Sequence, residues 1–185
     1  MDAMEAILTR HSIAKVKSDP VPRKVIEKLL LAAVQAPNHY RVRPWRFVVL
    51  TGKSREALGQ VMAQVLKNRN PESPEEGLQK ERAKPLRAPV LIAVGVDKPG
   101  DQKVLEIENI CAVAAAVENL LLAAHAEGLG AMWRTGPAAH DPEVKKFLGF
   151  EPDQELLSFI YIGYPDLDVP VVERQSFEDR TVWMG

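Results

Sequence analysis

The chain of 185 residues is long enough for one domain with its own hydrophobic core. Its 46% hydrophobic and 26% charged residues are ordinary for a soluble globular protein, and a formal net charge of -1 argues against a nucleic-acid-binding face. No apolar run reaches the roughly 18 residues that a membrane span needs.

The first predicted element is a short amphipathic helix, in which Asp2 is the N-cap and Met4, Ile7 and Leu8 form the apolar stripe. Its acidic start differs from a secretory signal, which begins with a basic segment and continues with an apolar one. The single cysteine, Cys111, cannot form an internal disulfide. We therefore expect a protein of the reducing cytoplasm.

A helix, a strand and a second long helix are predicted next. Pro22 suits the first turn of a helix that repeats apolar residues at helical spacing and ends before Pro37. Residues 45–51 are rich in aromatic and β-branched side chains, which favours a strand. Ser54 is expected to cap the following helix. From residue 67 to residue 87 the apolar signal fades, and the composition predicts a long mobile loop.

The second half of the chain contains the most apolar segments. Residues 89–96 form a continuous apolar run, which is typical of a buried central strand. The longest helix is predicted over residues 104–127 and is apolar around most of its circumference. Either a second subunit covers its outer side, or it is the central helix of a monomer. A strand over 131–135, a helix starting at Asp141 and a last strand over 156–163 complete an α+β domain that spans residues 1–185.

Several common catalytic motifs are missing from the sequence. It has neither the glycine-rich loop of a nucleoside triphosphate site nor the nucleophile elbow of a hydrolase. Gly128-Leu129-Gly130 begins like a dinucleotide fingerprint, but it follows a helix instead of a strand. The four histidines and Cys111 lack the spacing of zinc ligands, so we expect no metal site. Cys111 is expected in the core, and His125 is expected to be a packed structural histidine.

One block of residues does point to a ligand. Arg10, His11 and Ser12 follow the first helix directly, and Lys15 comes close behind. Two cations, a hydroxyl and the backbone N–H groups of a turn are suitable donors for a phosphate. The alternative interpretation is a solvated basic loop after a helix.

Four further blocks support the phosphate interpretation, because together with the first they resemble the nitroreductase family of flavoproteins. They are Ala36-Pro37-Asn38-His39, Arg43-Pro44-Trp45-Arg46-Phe47, the segment from Gly128 to Gly136 that contains Trp133-Arg134-Thr135, and Ile162-Gly163-Tyr164-Pro165. The resemblance spans nearly the whole chain. It implies a central mixed, mainly antiparallel sheet flanked by helices, in an intertwined homodimer with FMN at the subunit interface. It also implies that residues 67–87 can border the substrate pocket as a lid, whereas composition alone is equally consistent with surface disorder.

The resemblance also implies a role for each matching residue. Arg10 and Ser12 would hold the phosphate and ribityl chain of FMN, with His11 contributing main-chain contacts, and Lys15 would place positive charge near the pyrimidine edge of the ring. Pro37, Asn38 and His39 would arrive from the other subunit and cover the ring. The segment Trp133, Arg134, Thr135 and Gly136 would supply a backbone N–H to flavin N5. Three positions keep alternatives. Gln35 could bond the cofactor or solvent, Arg134 could instead be a simple interface cation, and Arg174 matches a phosphate-binding residue only in a loosely aligned part of the chain.

The activity that this resemblance implies is FMN-dependent reduction of nitroaromatic or quinone-type acceptors with NADH or NADPH as the donor. No side chain needs to act as a nucleophile, because the flavin carries the hydride. The sequence leaves three alternatives open: another flavin-dependent reaction such as dehalogenation or enoyl-type reduction, a flavin storage or sensing protein, and a helical dimer with no cofactor.

Overall fold

The computed structural model describes residues 1–167 and 174–185. Its helices are α1 (Ala3–Thr9), α2 (Arg23–Ala33), α3 (Lys53–Arg69), α4 (Glu75–Ala83), α5 (Glu106–Ala126) and α6 (Pro142–Phe147). Its strands are β1 (Trp45–Thr51), β2 (Val90–Val96), β3 (Gly130–Arg134) and β4 (Glu155–Gly163). Short 3-10 turns lie at His39–Arg41, Lys84–Arg87, Pro137–His140 and Glu178–Arg180.

The four strands form one sheet in the order β1-β2-β4-β3. Each of the three pairings is antiparallel, with Val48 opposite Ala93, Ile92 opposite Ile160, and Met132 opposite Tyr161. The predicted α+β fold with a mainly antiparallel sheet is thereby confirmed. The parallel component implied by a mixed sheet is not found among the strands of the described residues.

Helices cover both faces of the sheet. On one face, apolar residues of β2 and β4 pack against α2 and α5, with Leu29, Val117 and Leu120 fully buried. On the other face, Leu91 and Phe159 pack against α3 and α6. β2 and β4 lie in the middle of the sheet and are covered on both faces, so β2 is a continuous apolar run and β4 is mainly apolar, with the buried Ser158 as its one interior polar residue.

Helix α5 is the one helix of the described chain that is long and apolar enough to cross a membrane by length and composition, with a mean hydropathy of 1.6. Val113, Ala116 and Val117 are fully buried against the sheet, so α5 is the core helix of this domain. Its opposite side is open, and Ile107 and Cys111 are exposed there. The prediction that Cys111 lies in the core is therefore wrong, because this residue faces away from the sheet.

The prediction of a long loop over residues 67–87 is also wrong. Helix α3 continues to Arg69, and α4 occupies Glu75–Ala83. One apolar side chain, Leu78, anchors α4 in the core, while ion pairs such as Glu76–Lys80 stabilise its solvent side. The start of α3 differs too. Gly52 is its N-cap, and the Ser54 hydroxyl instead bonds the backbone N–H and C=O of Thr51.

Candidate functional site

The chain after α1 is held against the end of the sheet by backbone contacts. The N–H of Ile13 donates to the carbonyl of Ala131 at 2.9 Å, and Val16 forms an isolated antiparallel bridge with Pro165. Glycine is required beneath this segment, because a Cβ on Gly130 would lie 2.8 Å from Cγ2 of Ile13. These contacts fix the backbone that carries the predicted residues Arg10, His11, Ser12 and Lys15.

Arg10 lies at the centre of a group that we call the basic cluster, which consists of Arg10, His11, Ser12, Lys15 and Arg174. The Arg10 Nε is buried 3.2 Å from Oε1 of Glu118, an ion pair without the alignment of a hydrogen bond. A guanidinium N–H of Arg174 donates to the carbonyl of Arg10. The structure thus brings the guanidinium of Arg174 to the backbone of Arg10, 164 positions away in the sequence, and the side chain of Ser12 is exposed.

His11 and His125 lie behind Arg10. Nδ1 of His11 donates to the carbonyl of Thr9 at 2.9 Å, and its buried Nε2 has no hydrogen-bond partner among residues 1–167 and 174–185. Nε2 of His125 lies 2.8 Å from the Thr9 hydroxyl, which itself donates to the carbonyl of Glu5. Burial and the nearby His11 and Arg10 lower the pKa of His125 below its ordinary value. His125 is therefore a packed structural residue, as expected.

Lys15 lies at the other end of the segment and pairs with Asp166 at 2.9 Å. The ammonium group holds the pKa of the Asp166 carboxyl below its usual value, first by a hydrogen bond and then by its charge. The backbone N–H of Asp166 also donates to the carbonyl of Lys15. The side chain of Lys15 remains largely exposed, so its charge faces solvent at the edge of the basic cluster.

The segment from Trp133 to Gly136 continues β3 past the point where Ile13 is attached. Trp133 is half-buried and lies on the same face of the strand as Ala131, about 7 Å farther along. Arg134 points to the opposite face, with its guanidinium 6.0 Å from the ring centre of Tyr161. Thr135 is exposed, and nothing lies within 4 Å of the position that a Cβ on Gly136 would occupy. The backbone is accordingly open to a ligand at Gly136.

Pro37, Asn38 and His39 lie elsewhere, in a loop at the other end of α5. The Asn38 side chain accepts a hydrogen bond from the N–H of Arg43 and donates to the carbonyl of Ala36, which closes the loop. Tyr40, Arg41 and Arg43 all have positive φ angles, between 48° and 55°. Such a conformation is unfavourable for non-glycine residues and is concentrated at functional sites. Gln35 does not join this group, because its side-chain amide donates to the carbonyl of Leu31 in the preceding helix α2.

Two acidic residues of α5 contact the basic cluster and the loop that carries His39, respectively. Arg10 pairs with Glu118, and Nδ1 of His39 lies 2.9 Å from Oε2 of Glu108. Ten residues of helix separate these carboxylates, which is about 15 Å along the axis. The predicted residues therefore form two half-sites within one protomer. Sequence reasoning missed Glu108 and Glu118, although a carboxylate on an otherwise apolar helix was a signal for both.

One cavity lies away from these half-sites, and another borders the loop that carries His39. The first, of about 630 Å³, lies between α2 and β1 and is lined mainly by apolar residues such as Val21, Ile26 and Val49. A shallower groove of about 400 Å³ is lined by Pro37, Asn38, His39 and the open side of α5. Within residues 1–167 and 174–185, no three His, Cys, Asp or Glu side chains are grouped so that they could hold a metal ion.

Comparison with known proteins identifies the family of this chain. Residues 7–164 match the model of the nitroreductase family. The chain belongs to the nitroreductase family, whose members are oxidoreductases. Among curated relatives, it is 31% identical over 168 residues to YdjA of Escherichia coli (strain K12), which is named as an NAD(P)H nitroreductase, with 90% of each chain covered.

Solved structures of family members share the fold. A nitroreductase-like protein from Bacillus cereus superposes with a TM-score of 0.83 at 24% identity, covering 100% of this chain and 96% of that one. A variant of the FMN- and NADPH-dependent nitroreductase NfnB, from sphigopyxis sp. strain HMH, gives a TM-score of 0.81 at 19% identity, with 100% of both chains covered. The fold expected from the sequence resemblance is thereby confirmed.

Proposed function

We propose that this nitroreductase-family protein is an FMN-dependent NAD(P)H oxidoreductase that reduces nitroaromatic or quinone-type acceptors, and that it works as a homodimer with FMN at the interface. The observation that carries the proposal is the basic cluster beside an open backbone at the end of β3. Bound FMN would supply the hydride chemistry by accepting a hydride from the nicotinamide and passing it to the acceptor.

The basic cluster fits the phosphate end of FMN. Arg10 and Arg174 offer planar N–H groups, Ser12 offers an exposed hydroxyl, and His11 offers main-chain contacts. The Arg10 Nε faces Glu118, which leaves the terminal nitrogens of the guanidinium for a ligand. The buried, unpartnered Nε2 of His11 is a further polar atom that a ligand or water could satisfy.

The ring of FMN would extend from the cluster along the open backbone of Trp133, Arg134, Thr135 and Gly136. An N–H from this segment would donate to N5 of the ring, which is supported by the absence of neighbours at Gly136. Lys15 would place its charge near the pyrimidine edge, where a cation favours the anionic reduced ring. Gln35 is proposed only as a peripheral contact, because its amide is already bonded to α2.

A second copy of the chain would complete the site. Because Pro37, Asn38 and His39 lie about 15 Å along α5 from Arg10, one protomer cannot place both groups against the same part of a flavin. The outer side of α5 exposes Ile107 and Cys111, which supports a contact surface there. The C-terminal residues Val182, Trp183 and Met184 are also between 85% and 93% exposed, as expected of an arm that packs on a partner.

The decisive test is the visible spectrum of the purified protein, followed by anaerobic addition of NADPH and then NADH. We expect the absorbance bands of oxidised flavin, and we expect at least one donor to bleach them. Arg10→Ala should weaken FMN binding strongly, whereas Arg23→Ala, which removes an exposed arginine of α2 that pairs with Glu27, should not. Protein that stays colourless after incubation with excess FMN would overturn the proposal. Bound flavin that neither donor bleaches would leave a binding role instead.

We further propose that residues 1–185 work as a single domain in the cytoplasm. The support for one domain is that both hydrophobic clusters share the same sheet. The support for the compartment is the composition, with one cysteine and no disulfide. Limited proteolysis that cut the native protein into separately folded parts would contradict the first point.

A further inference from the structure

The loop that carries His39 holds the imidazole in a defined orientation at the surface. Nδ1 lies 2.9 Å from Oε2 of Glu108, and the ring stacks on Tyr40 with centroids 4.3 Å apart and planes 27° from parallel. Tyr40 can lie over the imidazole because its backbone is left-handed, with φ of 48°. An exposed histidine that is part of a solvated loop does not need these contacts. Tyr40, Arg41 and Arg43 have positive φ angles, and contacts of this loop such as the His39–Glu108 pair and the Asn38–Arg43 hydrogen bond compensate for their backbone strain.

Glu108 is itself held in place at the start of α5. Its Oε2 accepts the backbone N–H of Leu105, the N-cap of α5, at 2.8 Å, in addition to facing His39. The hydrogen bond with His39, followed by the one from Leu105, holds the pKa of Glu108 below its ordinary value. The carboxylate is therefore ionised and only accepts hydrogen bonds, so the proton of the ring lies on Nδ1. Nε2 is the nitrogen available to a ligand in the groove of about 400 Å³ that His39 lines.

We propose that His39 donates the proton that the acceptor takes up with each hydride, and that Glu108 is its positioning residue. This inference rests on the proposed function, because it places the loop of one subunit over the flavin of the other. The inference also predicts that the preferred acceptors are compounds that are protonated on oxygen when they are reduced, such as nitro compounds and quinones.

The proton balance shows why a donor is needed. A nitro group takes one hydride, ultimately from the reduced nicotinamide, and one proton; one N–O bond breaks, and the products are the nitroso compound and water. A quinone takes the same hydride and proton and becomes the hydroquinone. The imidazolium of His39 gives the proton from Nε2, keeps the proton on Nδ1 beside Glu108, and is reprotonated from solvent. General acid catalysis of this kind typically contributes about 10²–10⁴-fold.

The test separates the two halves of the reaction by stopped-flow measurement. In His39→Gln we expect FMN to stay bound, because Arg10 and Arg174 of the proposed site still hold its phosphate end, and we expect NAD(P)H to reduce the flavin, because that step needs no protein proton. Reoxidation by a nitroaromatic or a quinone should slow by about 10²-fold. Reoxidation by ferricyanide, which takes electrons without a proton, should stay at the wild-type rate. Added imidazole should partly restore the nitroaromatic rate in His39→Gly. His140→Gln, at another exposed histidine, is the matched control.

A second measurement does not depend on turnover. Nitrogen NMR shifts of the histidine rings, with the His39 signal assigned from its loss in His39→Gln, should show Nδ1 protonated and Nε2 unprotonated in the neutral ring. Glu108→Gln should slow reoxidation by the nitroaromatic and leave flavin binding intact, whereas Glu106→Gln on the same helical turn should change neither.

The outcomes are distinguishable. A protein that binds no flavin, or whose flavin is not reduced by either donor, contradicts the proposed function. If the flavin of His39→Gln is reduced normally and is then reoxidised by the nitroaromatic at the wild-type rate, the inference about His39 is contradicted and the proposed function is not. A ring protonated on Nε2, or a His39→Gln variant that loses FMN, would also overturn it, because His39 would then hold the cofactor instead of donating a proton.

Discussion

Gly130→Ala should disturb the basic cluster without touching any of its side chains. A Cβ at this position would lie 2.8 Å from Cγ2, 2.9 Å from Cβ and 3.2 Å from Cγ1 of Ile13. Carbon atoms in ordinary contact are about 3.5–4.0 Å apart, so the segment from Arg10 to Lys15 must retreat by up to about 1 Å. Ile13 is buried, and its N–H is bonded to the neighbouring Ala131 carbonyl, so the segment cannot move freely.

The magnitude follows from this displacement. Overpacking of a buried site typically lowers the free energy of unfolding by about 1–3 kcal/mol. A misplacement of about 1 Å in a site weakens its function by up to about 10²-fold. We therefore expect FMN affinity to fall at least tenfold, which corresponds to about 1.4 kcal/mol. Fluorescence titration of FMN measures the affinity, and urea denaturation of the FMN-free protein measures the stability.

Two controls make the Gly130→Ala experiment specific. Gly100→Ala adds the same methyl group where nothing lies within 4 Å, and it should leave FMN affinity unchanged. Ile13→Ala removes two of the three crowded carbon atoms, so the loss in the double variant should be smaller than the sum of the two single losses. Wild-type FMN affinity in Gly130→Ala would refute the view that this backbone contact positions the cluster.

Three further predictions concern other parts of the protein. Asp141→Ala removes the cap of α6 and the partner of Arg69, so the free energy of unfolding should fall by about 1–2 kcal/mol in urea denaturation, while the exposed Asp153→Ala should change it little. Deletion of residues 182–185 should weaken the dimer in analytical ultracentrifugation but leave the circular dichroism of the protomer unchanged, because these residues are exposed in the isolated chain. The Lys15–Asp166 pair lowers the pKa of Asp166, so its contribution to stability is present above the carboxyl pKa of the unfolded chain and is lost as the pH falls through the lower folded pKa. In Asp166→Asn, the free energy of unfolding should therefore fall less steeply with decreasing pH below about pH 4. An unchanged slope in that range would contradict this prediction.

The fold was largely predictable because its strong signals are local. The apolar runs of β2 and β4 reflect burial on both faces, and the Asp141 cap is formed as expected, accepting the N–H of Glu143. Helix α4 was missed because it buries a single large side chain, Leu78, and packs through a close backbone approach. A Cβ on Gly59 of α3 would lie 2.3 Å from the carbonyl of Arg82 in α4, and no apolar periodicity records such a contact. The charge order of α4, acidic first and basic last, was the signal that was available.

The site was predictable in its residue types and not in its arrangement. Motif resemblance pointed to Arg10 and Arg174, and the structure places them in contact although the chain between them is long. The left-handed residues Tyr40, Arg41 and Arg43 could not be foreseen, because none is glycine and their conformation depends on bonds from Asn38 within the loop. The contact of Glu108 with His39 could not be predicted either. A glutamate in the first turn of a helix is already explained by its bond to the N-cap backbone, so the sequence gives no sign of a second partner.

The placement of both half-sites on α5 links cofactor binding to assembly. The helix contributes its buried side to the core and its two carboxylates, Glu108 and Glu118, to the half-sites. In the proposed dimer, a flavin contacts Arg10 of one subunit and His39 of the other, so a ligand that binds only the dimer stabilises it by a free energy that grows with the logarithm of its free concentration over its Kd. The rigid spacing of about 15 Å between the half-sites then decides how the two copies must be offset for both to reach one ring. In the proposed dimer, a helix that is needed for folding in each copy would thus also set the geometry of the shared site, and its outer side, where Ile107 and Cys111 are exposed in the described part of the protomer, would lie at the contact.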